Sequence, residues 1–354
     1  MDDRIRGVNL SGWFIPEPWV TPSLFAATGA STDAELQENL GTVEYNERIR
    51  QHYETFITEE DFRRMSSIGL NAVRIPVPWY VFGLQNDAAT YISAIDYIDR
   101  AMEWGSKYNV SVLLDLATVP GGQGDSNEPQ TTSRYIADWH SSTNGRHVAL
   151  EVLERLAARY AVADALYGIE LLDSPVMSVR KNMFTMTDGI PGHYLRNFYR
   201  DAYDLLRKHM TNDKAVVFSA SGYPGLWKHF MRSSQYKNVM MDVHLYHYHD
   251  ENAQDITSPR GLSAAIARNK AQIREAVGTG FPVIIGEWSA AAVMSSASVT
   301  PEGRSAYERV FVANQLASFS QAEGWFFQTW KTEKRIAAWD ARLALGTLER
   351  AMLD

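Results

Sequence analysis

Eight short runs of β-branched and other apolar residues recur along the chain at wide spacing, at residues 5–10, 72–75, 110–116, 166–172, 215–219, 239–244, 282–286 and 325–329. Each is apolar toward both sides, the pattern of a parallel strand buried between a core and covering helices. Between them lie helix-period segments at residues 59–68, 93–107, 147–160, 194–210, 262–277, 304–322 and 338–352. The first opens on Thr58 as N-cap and closes on Gly69; the second carries Ile95, Ile98 and Met102 on one face. Eight strands alternating with helices predict a (β/α)8 TIM barrel with enlarged loops on its C-terminal face, one domain over residues 1–354. The alternative, a doubly wound sheet, calls for Gly-x-Gly-x-x-Gly after its first strand, and that pattern does not occur.

No linker, repeat or low-complexity stretch divides the chain. The longest expected loops, residues 13–51, 120–144 and 173–192, all follow strands. In a barrel they crowd the face where active sites are built.

Charge narrows the partners. The chain has 34 Lys and Arg against 42 Asp and Glu, a formal charge of −8. That opposes binding to nucleic acid or to an anionic membrane surface. There is no cysteine, so no disulfide, thiolate metal site or cysteine nucleophile is possible. The first residues, MDDRIRGVNL, do not form a signal peptide, so the chain is expected to be intracellular unless a leader was trimmed. No run reaches the length of a membrane span, and the expected unit is a monomer. Ten Trp, 17 Tyr and 14 Phe, many in loop-like contexts, suit either core packing or flat platforms for sugar rings.

In a barrel, chemistry sits where strands end. Here the ends carry Asn9, Arg74, Asp115, Asp173, Ser174, His244, Tyr246, Glu287 and Trp330, a polar set in apolar surroundings that suits a sugar. Glu287 follows four apolar residues and a glycine, where a carboxylate is costly unless paired or used. Arg74 is its expected partner and would keep it ionised, as a nucleophile must be.

The segments RGVNLSGWFIPEPWVTPSLF, TFITEEDFRRMSSIGLNAVRIPV, IIGEWSAA and WFFQTWKTE closely resemble glycoside hydrolase family 5, in its fungal-type exo-β-1,3-glucanase branch. The resemblance runs in register from about residue 6 to residue 340. It implies a barrel that retains anomeric configuration through two glutamates. Glu287 stands in the nucleophile motif after the seventh strand. The family's acid/base lies after the fourth strand in Asn-Glu-Pro, but here Asp173-Ser174-Pro175 stands instead, so Ser174 occupies the acid/base position. A hydroxyl is too weak an acid to protonate a departing glycosidic oxygen, and retaining hydrolysis needs two carboxyl groups about 5 Å apart. Ala117 replaces a histidine usual in the family two residues after Asp115. His244, Tyr246, Glu17 and Trp330 are kept, and the family implies sugar contacts for Glu17 and for Trp330 as a platform.

The expected activity is therefore binding of β-glucan, most simply β-1,3-linked oligosaccharides, with little or no hydrolysis and without cofactor or metal. The alternative is an active retaining exo-β-1,3-glucanase or β-glucosidase using a relocated acid such as Asp173, although neighbouring strand residues point to opposite sides. Ser174 could serve as a nucleophile only if His244 came beside it in space. A zinc site on His244, His247, His249 and Asp250 is disfavoured, because His247 and His249 face away from His244 in an extended segment. Tyr223, Trp227 and Phe230, after the fifth strand, are candidates to clamp an outer sugar. Asp115 and Asp173 are candidates to bond sugar hydroxyls.

Overall fold

All eight apolar runs form strands of one closed parallel barrel in a computed structural model that describes residues 4–85, 90–123, 138–182, 185–248, 255–294 and 300–346. The strands are β1 (Ile5–Asn9), β2 (Ala72–Val77), β3 (Ser111–Leu116), β4 (Leu166–Glu170), β5 (Ala215–Ser219), β6 (Val239–His247), β7 (Val283–Ala292) and β8 (Gly324–Phe327). Each pairs with its chain neighbours, and β8 closes on β1 through Ile5↔Gly324 to Val8↔Phe327.

The barrel floor is apolar. Ile5, Ala72, Leu113, Ala215, Val217, Met240, Ile284 and Phe326 pack together there, with Tyr167 against them. The period of two along a strand then fixes what lies above. Asn9 is four residues after Ile5, and Arg74, Asp115 and Asp242 each follow a floor residue by two. All four are fully buried, so the inward face turns polar toward the strands' C-terminal ends. The larger apolar cluster fills the layer between strands and helices, which is why the strands read as apolar on both sides.

Helices Glu59–Ser67, Ile95–Tyr108, Thr143–Tyr160, Gly192–Leu206, Pro259–Val277 and Pro301–Ser318 cover the barrel close to their expected positions. The segment expected as the loop 13–51 is largely helical instead, with a short helix Pro22–Phe25 and the long Asp33–Thr55, broken at Gly41 by φ 72°. Its buried side chains are Asp33, Leu36, Gln37, Tyr45, Ile49, His52 and Tyr53. Five of these seven carry polar groups, and the glycine interrupts the period, so the pattern does not read as an aliphatic stripe. The expected helix 338–352 is a 3-10 turn, Ala337–Trp339, followed by Ala341–Ala344; residues 347–352 lie outside the described set. Parts of the loops 120–144 and 173–192 also lie outside it. No helix among the described residues is long and apolar enough to cross a membrane.

Candidate active site

Arg74 is the hub above the barrel floor. Its guanidinium donates to Glu170 Oε2 (2.8 Å), Asp173 Oδ1 (2.9 Å), Asn9 Oδ1 (3.0 Å) and Glu287 Oε1 (3.2 Å), and Asp115 Oδ2 lies 3.2 Å away. One buried cation cannot neutralise four carboxylates. Burial pushes Glu170 up to about 8 and Asp115 well above the usual carboxylate range, so protons stay among these groups near neutral pH.

Glu287 owes its position to the residue before it. The ladders on both sides of β7 slip by one residue between Ile285 and Trp288. That extra residue re-aims the strand and brings Glu287 opposite His244. At Gly286 a Cβ would collide with the Asp242 carboxylate, which accepts the Gly286 N–H. Asn9 Nδ2 donates to the Gly286 carbonyl at 2.8 Å. The Glu287 carboxylate then accepts from Arg74 on one oxygen and from the Tyr246 hydroxyl (2.7 Å) on the other. Burial raises its pKa above the ordinary range, with Asp173 adding to the rise and the charges of His244 and Arg74 opposing it.

Opposite Glu287 lies a different arrangement. Ser174 has a left-handed backbone, φ 37°, and its Oγ is 2.9 Å from His244 Nδ1. His244 Nε2 is 2.7 Å from Asp242 Oδ2, and its Nδ1 is 3.4 Å from Glu287 Oε2. Burial works against a charged imidazole, but Asp242, Glu287 and Asp173 outweigh it and hold His244 well above the usual histidine range. The spatial condition for a serine nucleophile is therefore met, with His244 between Ser174 and Asp242, while the raised proton affinity of the ring, set by its acidic neighbours, works against its acting as a neutral base. Asp173 also reaches this side: its Oδ1 is 3.8 Å from His244 Nε2. The alternation expected between residues 173 and 174 does not hold, because the strand ends at Glu170 and Ser174 takes a left-handed backbone.

Several expected sugar contacts need correction. Trp330 is 0% exposed and packed in the core, and its indole N–H donates to Asp61 Oδ1 at 2.8 Å. It pins the helix Glu59–Ser67 to the end of β8 and offers no ring face to a ligand. Trp227 is likewise 0% exposed, bonded to the Ala220 carbonyl and packed on Phe218, Tyr199 and the buried Phe230. Asp115 is wholly buried beneath Arg74, out of reach of a sugar. Tyr223 is 43% exposed at the lip of a cavity beside Ser174.

Glu17 is 8% exposed, accepts from the Gly12 N–H and the Trp19 indole (2.8 Å), and is pushed by burial up to about 8, with Glu287 and Asp173 close enough to add to the rise. Beside it, Trp339 contacts Trp19 at 5.3 Å, Tyr246 at 5.7 Å and Tyr248 at 4.9 Å between ring centroids. These four aromatics are all half-buried. Trp339 and Trp19 are half-buried indoles beside the carboxylates; sequence reasoning offered Trp19 only among the loop-like aromatics and missed Trp339. Trp339 lies in the segment read as the last helix, and only the chain's return past β8 brings it to Tyr246.

Asp173, His244 and Glu287 bring ligand atoms within 4.8 Å of one another, as do Asp115, Glu170 and Asp173. In both sets the Arg74 guanidinium already occupies the centre of negative charge, so a metal cation would be repelled. His247 points away from the site to Asn269, and His249 and Asp250 lie outside the described residues.

A family model described as cellulase, glycosyl hydrolase family 5, matches residues 32–325. A probable glucan 1,3-beta-glucosidase A from Emericella nidulans is 30% identical, covering 99% of this chain and 91% of that protein. A glucan 1,3-beta-glucosidase from Blumeria graminis is 31% identical, covering 94% and 83%. Among solved structures, rutinosidase from Aspergillus niger superposes with a TM-score of 0.81 at 19% identity over 100% of this chain and 99% of its own. The endoglucanase Cel5A from Thermotoga maritima superposes at 0.59, 13% identical over 99% and 96%. These two structural likenesses speak for the barrel fold.

Proposed function

The chain belongs to glycosyl hydrolase family 5, in the neighbourhood of the glucan 1,3-beta-glucosidases, and on that premise we propose that it binds β-glucan, most simply β-1,3-linked oligosaccharides, with little or no hydrolysis. The bound terminal sugar lies between Glu17 and Glu287, with Tyr246 and Asp173 on its hydroxyls and the open faces of Trp19 and Trp339 against its apolar edge. Glu287 is the nucleophile position and Arg74 and Tyr246 orient it.

The observation that supports impaired hydrolysis is Ser174 Oγ at 2.9 Å from His244 Nδ1, where a retaining mechanism needs a carboxylic acid. Asp173 is a poor substitute, because its Oδ1 is paired with the Arg74 guanidinium at 2.9 Å, which favours the deprotonated carboxylate. General acid–base help contributes roughly 10²–10⁴ in rate, so a glucan bond loses about that much. The second reading, an active enzyme with Asp173 as acid, draws on the 3.8 Å approach of Asp173 to His244.

Calorimetry with laminaritriose, beside a glucose-release assay on laminarin, tests this reading. Binding with measurable heat and Trp quenching, without steady release of glucose, is the expected result. Steady turnover that disappears in Asp173→Asn would establish the relocated acid instead.

A further inference from the structure

Ser174 and His244 also line a cavity of about 710 Å³ between the ends of β4, β5 and β6. Pro175, Met177, Tyr223 and Leu245 give it an apolar side, and Asp188, Arg268 and Gln272 a polar one. Displacement at an anomeric carbon by Glu287 sends the leaving group away from Glu287, toward the position of the missing acid. The leaving group would thus rest against Ser174 with its bulk in this cavity. The groups waiting there are a hydroxyl backed by an imidazole paired with Asp242. The Ser174 hydroxyl, the donor nearest the leaving group, stabilises an oxyanion by hydrogen bonding but is too weak an acid to hand over its own proton.

A leaving group's need for a proton then decides which bonds break. A sugar departing as an alkoxide loses the full 10²–10⁴ or so of acid help. A carboxylate, whose conjugate acid has a pKa of about 4, needs none. We propose that this site cleaves β-glucosyl esters of carboxylic acids, 1-O-acyl-β-glucoses whose apolar or aromatic acyl group fills the cavity beside Ser174. The proposal rests on the glucose-binding site and the nucleophile position of Glu287 argued above.

The chemistry balances without a general acid. A Glu287 oxygen bonds to C1 as the C1–O bond of the ester breaks, and the electron pair leaves with the carboxylate. No proton moves in this step. The carboxylate stays against Ser174 and His244. Water then attacks C1, the bond to Glu287 breaks, and the surplus proton of the water passes to the released carboxylate. Glucose and the free acid result. The substrate supplies the base that position 174 lacks.

The test uses the full chain with 1-O-benzoyl-β-D-glucose in ¹⁸O-water, followed by mass spectrometry of the benzoate, with laminaribiose calorimetry in parallel. Benzoate should appear well above the spontaneous rate and free of ¹⁸O, since C1–O and not acyl–O is cleaved. Glu287→Gln should lower the rate by roughly 10²-fold or more, and phenyl β-glucoside and laminaribiose should turn over at least about 10²-fold more slowly than the ester. Tyr223→Ala should raise KM for the benzoyl ester roughly 2–10-fold and leave that for the acetyl ester unchanged. Benzoate carrying ¹⁸O would overturn the proposal in favour of attack at the acyl carbon. No release, with laminaribiose still bound, overturns the proposal alone. No release and no laminaribiose binding overturns the glucan-binding reading with it.

Discussion

The two sides of the site differ in what their parts are attached to. Glu287 sits in a web that also closes the barrel top: Arg74 joins it to β1, β3 and β4, Gly286 is clamped by Asp242 and Asn9, and Tyr246 holds its second oxygen. Ser174 touches the His244 ring, but among the described residues its hydroxyl bonds to no other group. A group in such a web cannot be lost without leaving buried charges unpaired, whereas a proton donor hung at a strand end can be lost at no cost to the fold. A carboxylate can therefore be held in position whatever residue stands at the opposite strand end.

The sharpest way to break this contrast is to rebuild the weaker side. Asp173→Asn with Ser174→Glu should raise glucose release from laminarin by roughly 10²–10⁴-fold, measured as initial rate. Ser174→Glu alone should gain less, because Asp173 adds like charge beside two glutamates. If the double variant folds and binds glucan without turnover, Glu287 is not a working nucleophile.

Removing the hub attacks the stronger side. Arg74→Met should cost about 3–5 kcal/mol in urea unfolding, since it strands buried carboxylates, while Ser174→Ala should stay within about 1 kcal/mol of the parent. Equal effects of the two would erase the difference between the sides.

The two indoles offer a finer split. Trp330→Ala should lose about 3–5 kcal/mol of stability as a core truncation. Trp339→Ala should leave the melting temperature nearly unchanged and weaken laminaritriose binding by about 0.5–1.5 kcal/mol. The reverse pattern would restore Trp330 as the platform.

A last contrast concerns pH dependence. Glu17 and Glu170 have pKa values raised by burial from 4.5 to about 8, so the folded chain binds protons that the unfolded chain releases. Their contribution to stability is complete below pH 4.5 and is lost as pH rises through about 8. The melting temperature should fall between pH 5 and pH 8.5, and Glu17→Gln should flatten part of that slope. A melting temperature that rises over this range would contradict the buried, protonated state of these groups.

The barrel was legible because its signal is repeated eight times, and burial on both faces leaves one pattern that needs no partner to be read. The helix Asp33–Thr55 was not, because Tyr45, His52 and Tyr53 bury rings whose polar atoms find partners only in the folded chain, such as Gly12 for His52 and Asp33 for Tyr45. The chemistry-bearing strand ends could be picked out by residue type against apolar runs. Which of them face a ligand could not, as Asp115 and Trp330 illustrate: each has the right type and the right strand, and each is sealed under its neighbours.

Sequence by itself determined the strand count, the parallel order, the family resemblance and the absence of a glutamate at position 174, all of which depend on residue identity and local period. Tertiary structure alone decided that His244 bridges Ser174 to Asp242, that Trp339 is half-buried where Trp330 is fully buried, and that Asp173 and Ser174 turn to the same ring. Those outcomes depend on a one-residue slip in β7, a left-handed turn after β4 and the path of the chain beyond β8. Each is a small local choice of backbone whose energy is set by contacts from about 40 to more than 200 residues away, and no short window of sequence contains both ends of such a contact.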